Sequence, residues 1–308
     1  MSDAGARPPR PDHLRALFVF TPPESKRFIA KAVARLPEVQ RAAEQGEVAI
    51  GHGATNVAVA EEIFGECPDR DRYLSGVIIN RILCVTQAEE KPPMLVWKKG
   101  VRVAPGPTME ETLKDFGAGS VFIKGANAVD PDRNVGVFVA NPAGGTIGWS
   151  YGILSARGCH LIVPVGLGKL VPSVREAARS CGQDTYYYCQ GIRVGMIPIM
   201  NATVVTEIEA FRILFDLDAV HIGGGGLQGS QGSVVLVAEG AKGKLDQAIG
   251  LIESIKGEVS LRPRKSSCTN CVPTILILHD EGVRREVTYC MYQGRTEGEL
   301  PSFMTQEA

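Results

Sequence analysis

The sequence has little charge imbalance, few aromatics and no long apolar run. Its 308 residues carry 33 Lys and Arg against 34 Asp and Glu, a net charge of -1. That balance removes the usual electrostatic basis for nucleic acid or an anionic membrane as the main partner. No apolar stretch approaches the roughly 20 residues that span a bilayer. The start, MSDAGARPPRPDHLR, has no hydrophobic segment ahead of a cleavage site, so a cytoplasmic protein without a secretory signal is expected. Aromatics make up only 6%, whereas there are 35 glycines. The composition fits a glycine-loop-rich α/β protein. The length suggests about two domains, with enough chain for a sizeable core.

Metal and cofactor signatures are missing too. Cys67, Cys84, Cys159, Cys181, Cys189, Cys268, Cys271 and Cys290 are scattered, which reads as reduced thiols. Only Cys268 and Cys271 have CxxC spacing. No second pair or HxxxH follows, and the pair precedes the strand-like VPTILIL rather than opening a helix. His221 and His279 show no ligand spacing. There is no GxxxxGK[ST] loop, and GxGxxG fails because position 56 is Asn. No metal and no cofactor are expected.

What is present is an alternation of strands and helices. Residues 1–23 read as a Pro- and Arg-rich arm with a short apolar patch, LRALFVF. Residues 24–45 have helical spacing with a break at Pro37. Strands follow at 47–50, 75–86, 94–105 (one strand, or a hairpin turning at Gly100), 120–124, 134–140 and 160–166. Helices are expected over VAVAEEIFG after Asn56, after the capping box Thr108–Glu111, and over IGWSYGILSARG. The pattern implies an open, mostly parallel, Rossmann-like sheet over 24–202. Residues 203–262 read β-α-β-β-α-β, a smaller ferredoxin-like α+β lobe. Strand-like segments in 263–308 are expected to return to the first domain.

Four loops that follow strands are candidates for chemistry. In residues 51–56, GHGATN, Gly51 and Gly53 let the backbone approach an anion, Thr55 and Asn56 open a helix, and His52 lies between. The same residues also suit a plain strand-to-helix turn with a polar cap. In residues 124–130, Lys124 and Gly125 stand at a strand's carboxyl end, where open α/β sheets bind ligands. Asp130 and Asp132 are there either as proton acceptors or as turn formers. Gly144, Gly145 and Thr146 offer a second anion-facing helix start, and Lys169 follows the strand 160–166. Residues 221–232 hold the run Gly223–Gly226, which reads as a flap over a cleft or as a loose hairpin tip.

The segments VAIGHGATN (48–56) and FIKGAN (122–127) resemble a known superfamily. It comprises ribose-5-phosphate isomerase, glucosamine-6-phosphate deaminase, the CoA transferases and the initiation-factor-2B-like sugar-phosphate isomerases. The first segment looks like the superfamily's phosphate-binding loop. The second is similar to the ribose-5-phosphate isomerase strand whose lysine lies in the active site, and to the GAD segment of the initiation-factor-2B-like branch. Asn127 stands where that branch has Asp. Neither its catalytic cysteine nor the CoA-transferase glutamate motif has a clear counterpart.

These features lead to an enzyme acting on a small phosphorylated or carboxylated metabolite, as a sugar-phosphate isomerase does. Lys124 is the candidate for holding an enediolate oxygen, with Asp130 or Asp132 as the base. Gly51, His52, Gly53, Thr55, Asn56, Gly125, Asn127, Gly144, Gly145, Thr146 and Lys169 are the candidate substrate-binding set. Two alternatives are a non-catalytic metabolite-binding regulator, consistent with Asn127, and a CoA-transferase-like enzyme. A homo-oligomer is expected on general grounds.

Overall fold

The computed structural model describes residues 10, 12–86, 90–263, 268–271, 276–278, 284–286 and 290–305, with 276–278 and 284–286 as backbone. It is a mixed α/β fold. A six-stranded sheet runs in the order Thr203–Val205, His160–Pro164, Val121–Ile123, Glu47–Ile50, Leu95–Lys98, Val101–Val103. The first four strands are mutually parallel; the last two form an antiparallel hairpin against Glu47–Ile50.

Strand alternation sends successive side chains to opposite faces. Val48, Ile50, Val121, Ile123, Ile162 and Val205 face one core, with helices Pro22–Val33 and Glu207–Phe215. Ala49, Phe122, Leu161, Val163 and Val204 face the other core, with helix Gly145–Arg157. Phe28 and Phe211 are fully buried in the first core, their ring centroids 4.9 Å apart. Burial of each such ring contributes about 1.5–3 kcal/mol.

The smaller sheet differs from the sequence reading. Its order is Leu14–Phe20, Ser233–Gly240, Asp218–Gly225. Thus part of the expected N-terminal arm is an edge strand, paired from Leu14 opposite Gly240 to Phe20 opposite Val234. Phe18 and Phe20 anchor it in the core beside Phe28. That strand takes the edge of Ser233–Gly240 opposite Asp218–Gly225, and residues 258–262 form no strand. Glu258 instead accepts from Arg27 at 2.9 Å. Thr203–Val205 joins the large sheet, because buried Val204 and Val205 extend its two faces.

Two further segments depart from simple alternation. The apolar stretch 75–86 is a hairpin, Gly76–Ile79 with Ile82–Val85, turning at Asn80 and Arg81, both at positive φ. Val135–Val139 leaves the parallel sheet and pairs antiparallel with Ala128–Val129 and Gly195–Ile199. Near the C-terminus, Leu276–Leu278 pairs with Arg284–Glu286, and Ile192 bridges to Cys290. Of the strand-like segments expected in 263–308, residues 272–275, 279–283 (with His279) and 287–289 lie outside the described residues. Among the described residues, no helix is long and apolar enough to cross a membrane.

Candidate functional site

The parallel strands deliver three loops to one sheet edge. Strands Glu47–Ile50, Val121–Ile123 and His160–Pro164 are neighbours with the same direction, so the segments after them emerge side by side. Gly51 N donates to Ile123 O at 2.9 Å and Lys124 N to Ile162 O at 3.0 Å, carrying the ladder into the loops. Strand Leu95–Lys98 runs the other way, with Leu95 opposite Ile50. The segment before it, including Lys91, therefore arrives at the same edge.

Together these segments surround a cavity of about 360 Å³. Its wall includes His52, Gly53 and Thr55 from the first loop, Lys124, Gly125 and Asn127 from the second, and Gly144, Gly145 and Thr146 from the segment after the antiparallel strand Val135–Val139. Lys169 completes the expected set on the wall. Gly51 and Asn56 lie behind it. Asn56 is fully buried, and its Nδ2 donates to Gly51 O at 2.7 Å; its Oδ1 has no hydrogen-bond partner.

Two helices begin at the wall, Ala54–Phe64 after Gly53 and Gly145–Arg157 after Gly144, and neither start has a side-chain cap. The first N–H groups of a helix have no intrahelical acceptor and carry partial positive charge. Gly144 has φ +83°, and a Cβ there would lie 2.9 Å from Gly148 Cα. A side chain at this position would disturb the start of the second helix.

Three ammonium groups meet these helix starts. Lys91 donates to Ser75 Oγ at 3.1 Å, and Lys169 to Ala126 O at 2.6 Å. Lys124 has only a 3.4 Å contact to Gly125 O, the carbonyl of its own neighbour. Among the described residues, none of the three forms an ion pair and no Asp or Glu lines the cavity. Desolvation, and then the charge of Lys91, push Lys124 down to about 8. Lys169 is also lowered to about 8 by desolvation and by its neighbours Lys26 and Lys124, with the charge of Glu207 acting against them. Burial lowers Lys91 as well. Packing these cations together costs free energy that an anion between them offsets.

His52 is lowered to about 4, chiefly by burial and further by Lys91 and Lys124. Its Nε2 lies 2.7 Å from Pro92 O, a pure acceptor, so Nε2 carries the proton and Nδ1 keeps the lone pair. The ring packs on Tyr73, with centroids 4.5 Å apart. Tyr73 OH donates to Ile50 O and accepts from Leu95 N at 2.9 Å, tying together the two strand ends that frame the site.

The two expected carboxylate bases are elsewhere. Asp130 is buried and absent from the wall. Its Oδ1 accepts from Asn134 N and its Oδ2 from Val174 N, both at 2.9 Å. Burial pushes its pKa up, but the hydrogen bonds from Val174 and Asn134 outweigh this and hold it below the usual value. Asp132 is exposed in the turn. Both serve local structure, as aspartates in turns commonly do. Asn127 lines the cavity, but its Oδ1 is engaged by Phe138 N at 3.0 Å. The glycine run 223–226 belongs to the exposed hairpin and does not line the cavity, so it is a hairpin tip and not a flap.

Several wall residues had no signal in the sequence. They include Lys91, Ser75, Cys84 and Trp149. Among the described residues, no group of three or more His, Cys, Asp or Glu is placed to hold a metal ion. No family model, curated protein or solved structure matches the chain.

Proposed function

We propose that this protein binds a small phosphorylated or carboxylated metabolite in the cavity and catalyses an isomerase-like proton transfer on it. The observation that carries this reading is the meeting of Lys91, Lys124 and Lys169 with two uncapped helix starts around one cavity. A small anion satisfies both sets of groups. Lys124 is the residue to stabilise a developing oxyanion. The resemblance of residues 48–56 and 122–127 to the sugar-phosphate isomerase superfamily supports the same substrate class, and with it the Rossmann-like description of the large sheet.

One observation favours the regulator as a second reading. The described wall lacks a carboxylate to act as base. The same fact leaves a CoA-transferase mechanism without its glutamate at this wall. A thermal-shift screen of sugar phosphates, oxo acids and CoA esters, followed by isomerisation assays on each hit, tests the proposal. Turnover of a phosphorylated hit supports the isomerase-like reading; binding without turnover across all hits favours the regulator.

A cytoplasmic homo-oligomer is part of the proposal. Leu17, Val19, Val220 and Ile222 expose an apolar patch on the small sheet, which suits contact with a second copy.

A further inference from the structure

We propose that Lys124 is a carbonyl nucleophile: its amine condenses with the aldehyde or ketone of a small anionic oxo compound held in the cavity. This inference rests on the anion-binding reading above and gives Lys124 a covalent role in place of holding the oxyanion.

The geometry separates Lys124 from its two neighbours. Lys169 is tied to Ala126 O at 2.6 Å and Lys91 to Ser75 Oγ at 3.1 Å. Lys124 Nζ has only the 3.4 Å contact to Gly125 O. It is therefore the least tethered of the three ammonium groups, on a stem that runs across Gly51, where an added Cβ would lie 3.0 Å from Lys124 Cδ. The other two cations and the helix starts remain available for the substrate's anionic group.

Protonation suits Lys124 and Lys169 alike, and the looser tether of Lys124 separates the two. A nucleophilic lysine must be neutral, and a desolvated site beside other cations is the environment that achieves this. A shift from 10.5 to about 8 raises the neutral fraction at pH 7 by about 300-fold. An ordinary surface lysine has no such advantage.

The covalent step balances without an oxidant. The Nζ lone pair forms a C–N bond to the carbonyl carbon as the C=O π pair moves to oxygen, and one proton passes from Nζ to that oxygen to give a carbinolamine. A second proton, from water or a neighbouring ammonium, lets that oxygen leave as water. The iminium that remains draws electrons from the adjacent carbon. A weak base is then enough to remove a proton there, and His52 Nδ1 retains its lone pair. The step therefore accounts for a wall without a carboxylate base among its described residues.

The test uses the intact protein, sodium borohydride and two probes, pyruvate for the carboxylated class and dihydroxyacetone phosphate for the phosphorylated class. Borohydride delivers hydride to the iminium carbon and fixes the adduct as a secondary amine. Peptide mapping is expected to find the label on Lys124 at least about tenfold above any other lysine with one of the probes. Inorganic phosphate is expected to suppress the label, and Lys124→Arg to abolish it. The probe that labels identifies the substrate class. Inorganic phosphate binding to the native protein is measured in parallel by calorimetry. Phosphate binding with label spread evenly over the lysines, or unchanged in Lys124→Arg, overturns the nucleophile and leaves the anion site standing. Absence of phosphate binding overturns both.

Discussion

Lys124 lies across Gly51: a Cβ on that glycine would sit 3.0 Å from Lys124 Cδ and 3.6 Å from Ile123 O. The glycine that ends one strand thus provides the platform for the lysine that ends its neighbour. Gly51→Val adds branched bulk where the lysine stem passes. It is expected to weaken inorganic phosphate binding by about tenfold, read by calorimetry. Unchanged affinity would mean that the stem has another route into the cavity.

The depressed lysines set a pH dependence. Lys124 and Lys169 titrate near 8 in the folded protein and near 10.5 when unfolded. Between those values the unfolded chain binds more protons, so stability without ligand rises with pH across that window. A bound anion favours the protonated lysines and reverses the balance. Sulfate, which does not titrate in this range, is expected to raise the melting temperature at pH 7 and progressively less above pH 8. The Lys124→Met/Lys169→Met double variant is the reference. A sulfate effect that stays constant from pH 7 to 9, or is the same in the double variant, contradicts this assignment.

Asp130 has a structural role here. Asp130→Asn places an amide before the N–H donors of Asn134 and Val174. The expected loss of stability is roughly 1–3 kcal/mol, measured by urea denaturation. Phosphate affinity is expected to change by less than about twofold, because the carboxylate is not on the cavity wall. A well-folded Asp130→Asn protein that binds substrate normally but has lost turnover would restore Asp130 as the base.

Tyr73 frames the site from behind. Tyr73→Phe leaves Ile50 O and Leu95 N without the hydroxyl that joins them. A destabilisation of about 1–3 kcal/mol is expected. His52, which packs on the ring, is expected to show an altered imidazole chemical shift. A stability change near zero would mean that water replaces the hydroxyl at no cost.

The contrast between Gly51 and Lys91 shows what could be read in the sequence. Glycines after an apolar strand mark a strand-to-helix turn by local chemistry alone, which singles out residues 51–56 and 144–146, while Lys124 and Gly125 stand out by their place at a strand's carboxyl end. Lys91 reaches the same wall because strand Leu95–Lys98 runs antiparallel beside Ile50, a pairing with no local signature. The edge strand Leu14–Phe20 has the same difficulty, since its partners lie more than 200 residues away. Asp130 is ambiguous in the sequence for another reason. An aspartate that caps backbone N–H groups and one that accepts a substrate proton have the same sequence context. Only the positions of Asn134 and Val174 distinguish them.

The central claim is that Lys91, Lys124 and Lys169 together form an anion site. The most direct measurement is a calorimetric titration of inorganic phosphate at pH 7 into the native protein and into Lys91→Gln/Lys124→Gln/Lys169→Gln, with folding of the variant checked by circular dichroism. The account predicts saturable 1:1 binding to the native protein and a loss of affinity of at least about a hundredfold in the variant. Equal affinity in the two proteins, or no binding to the native protein, would contradict it.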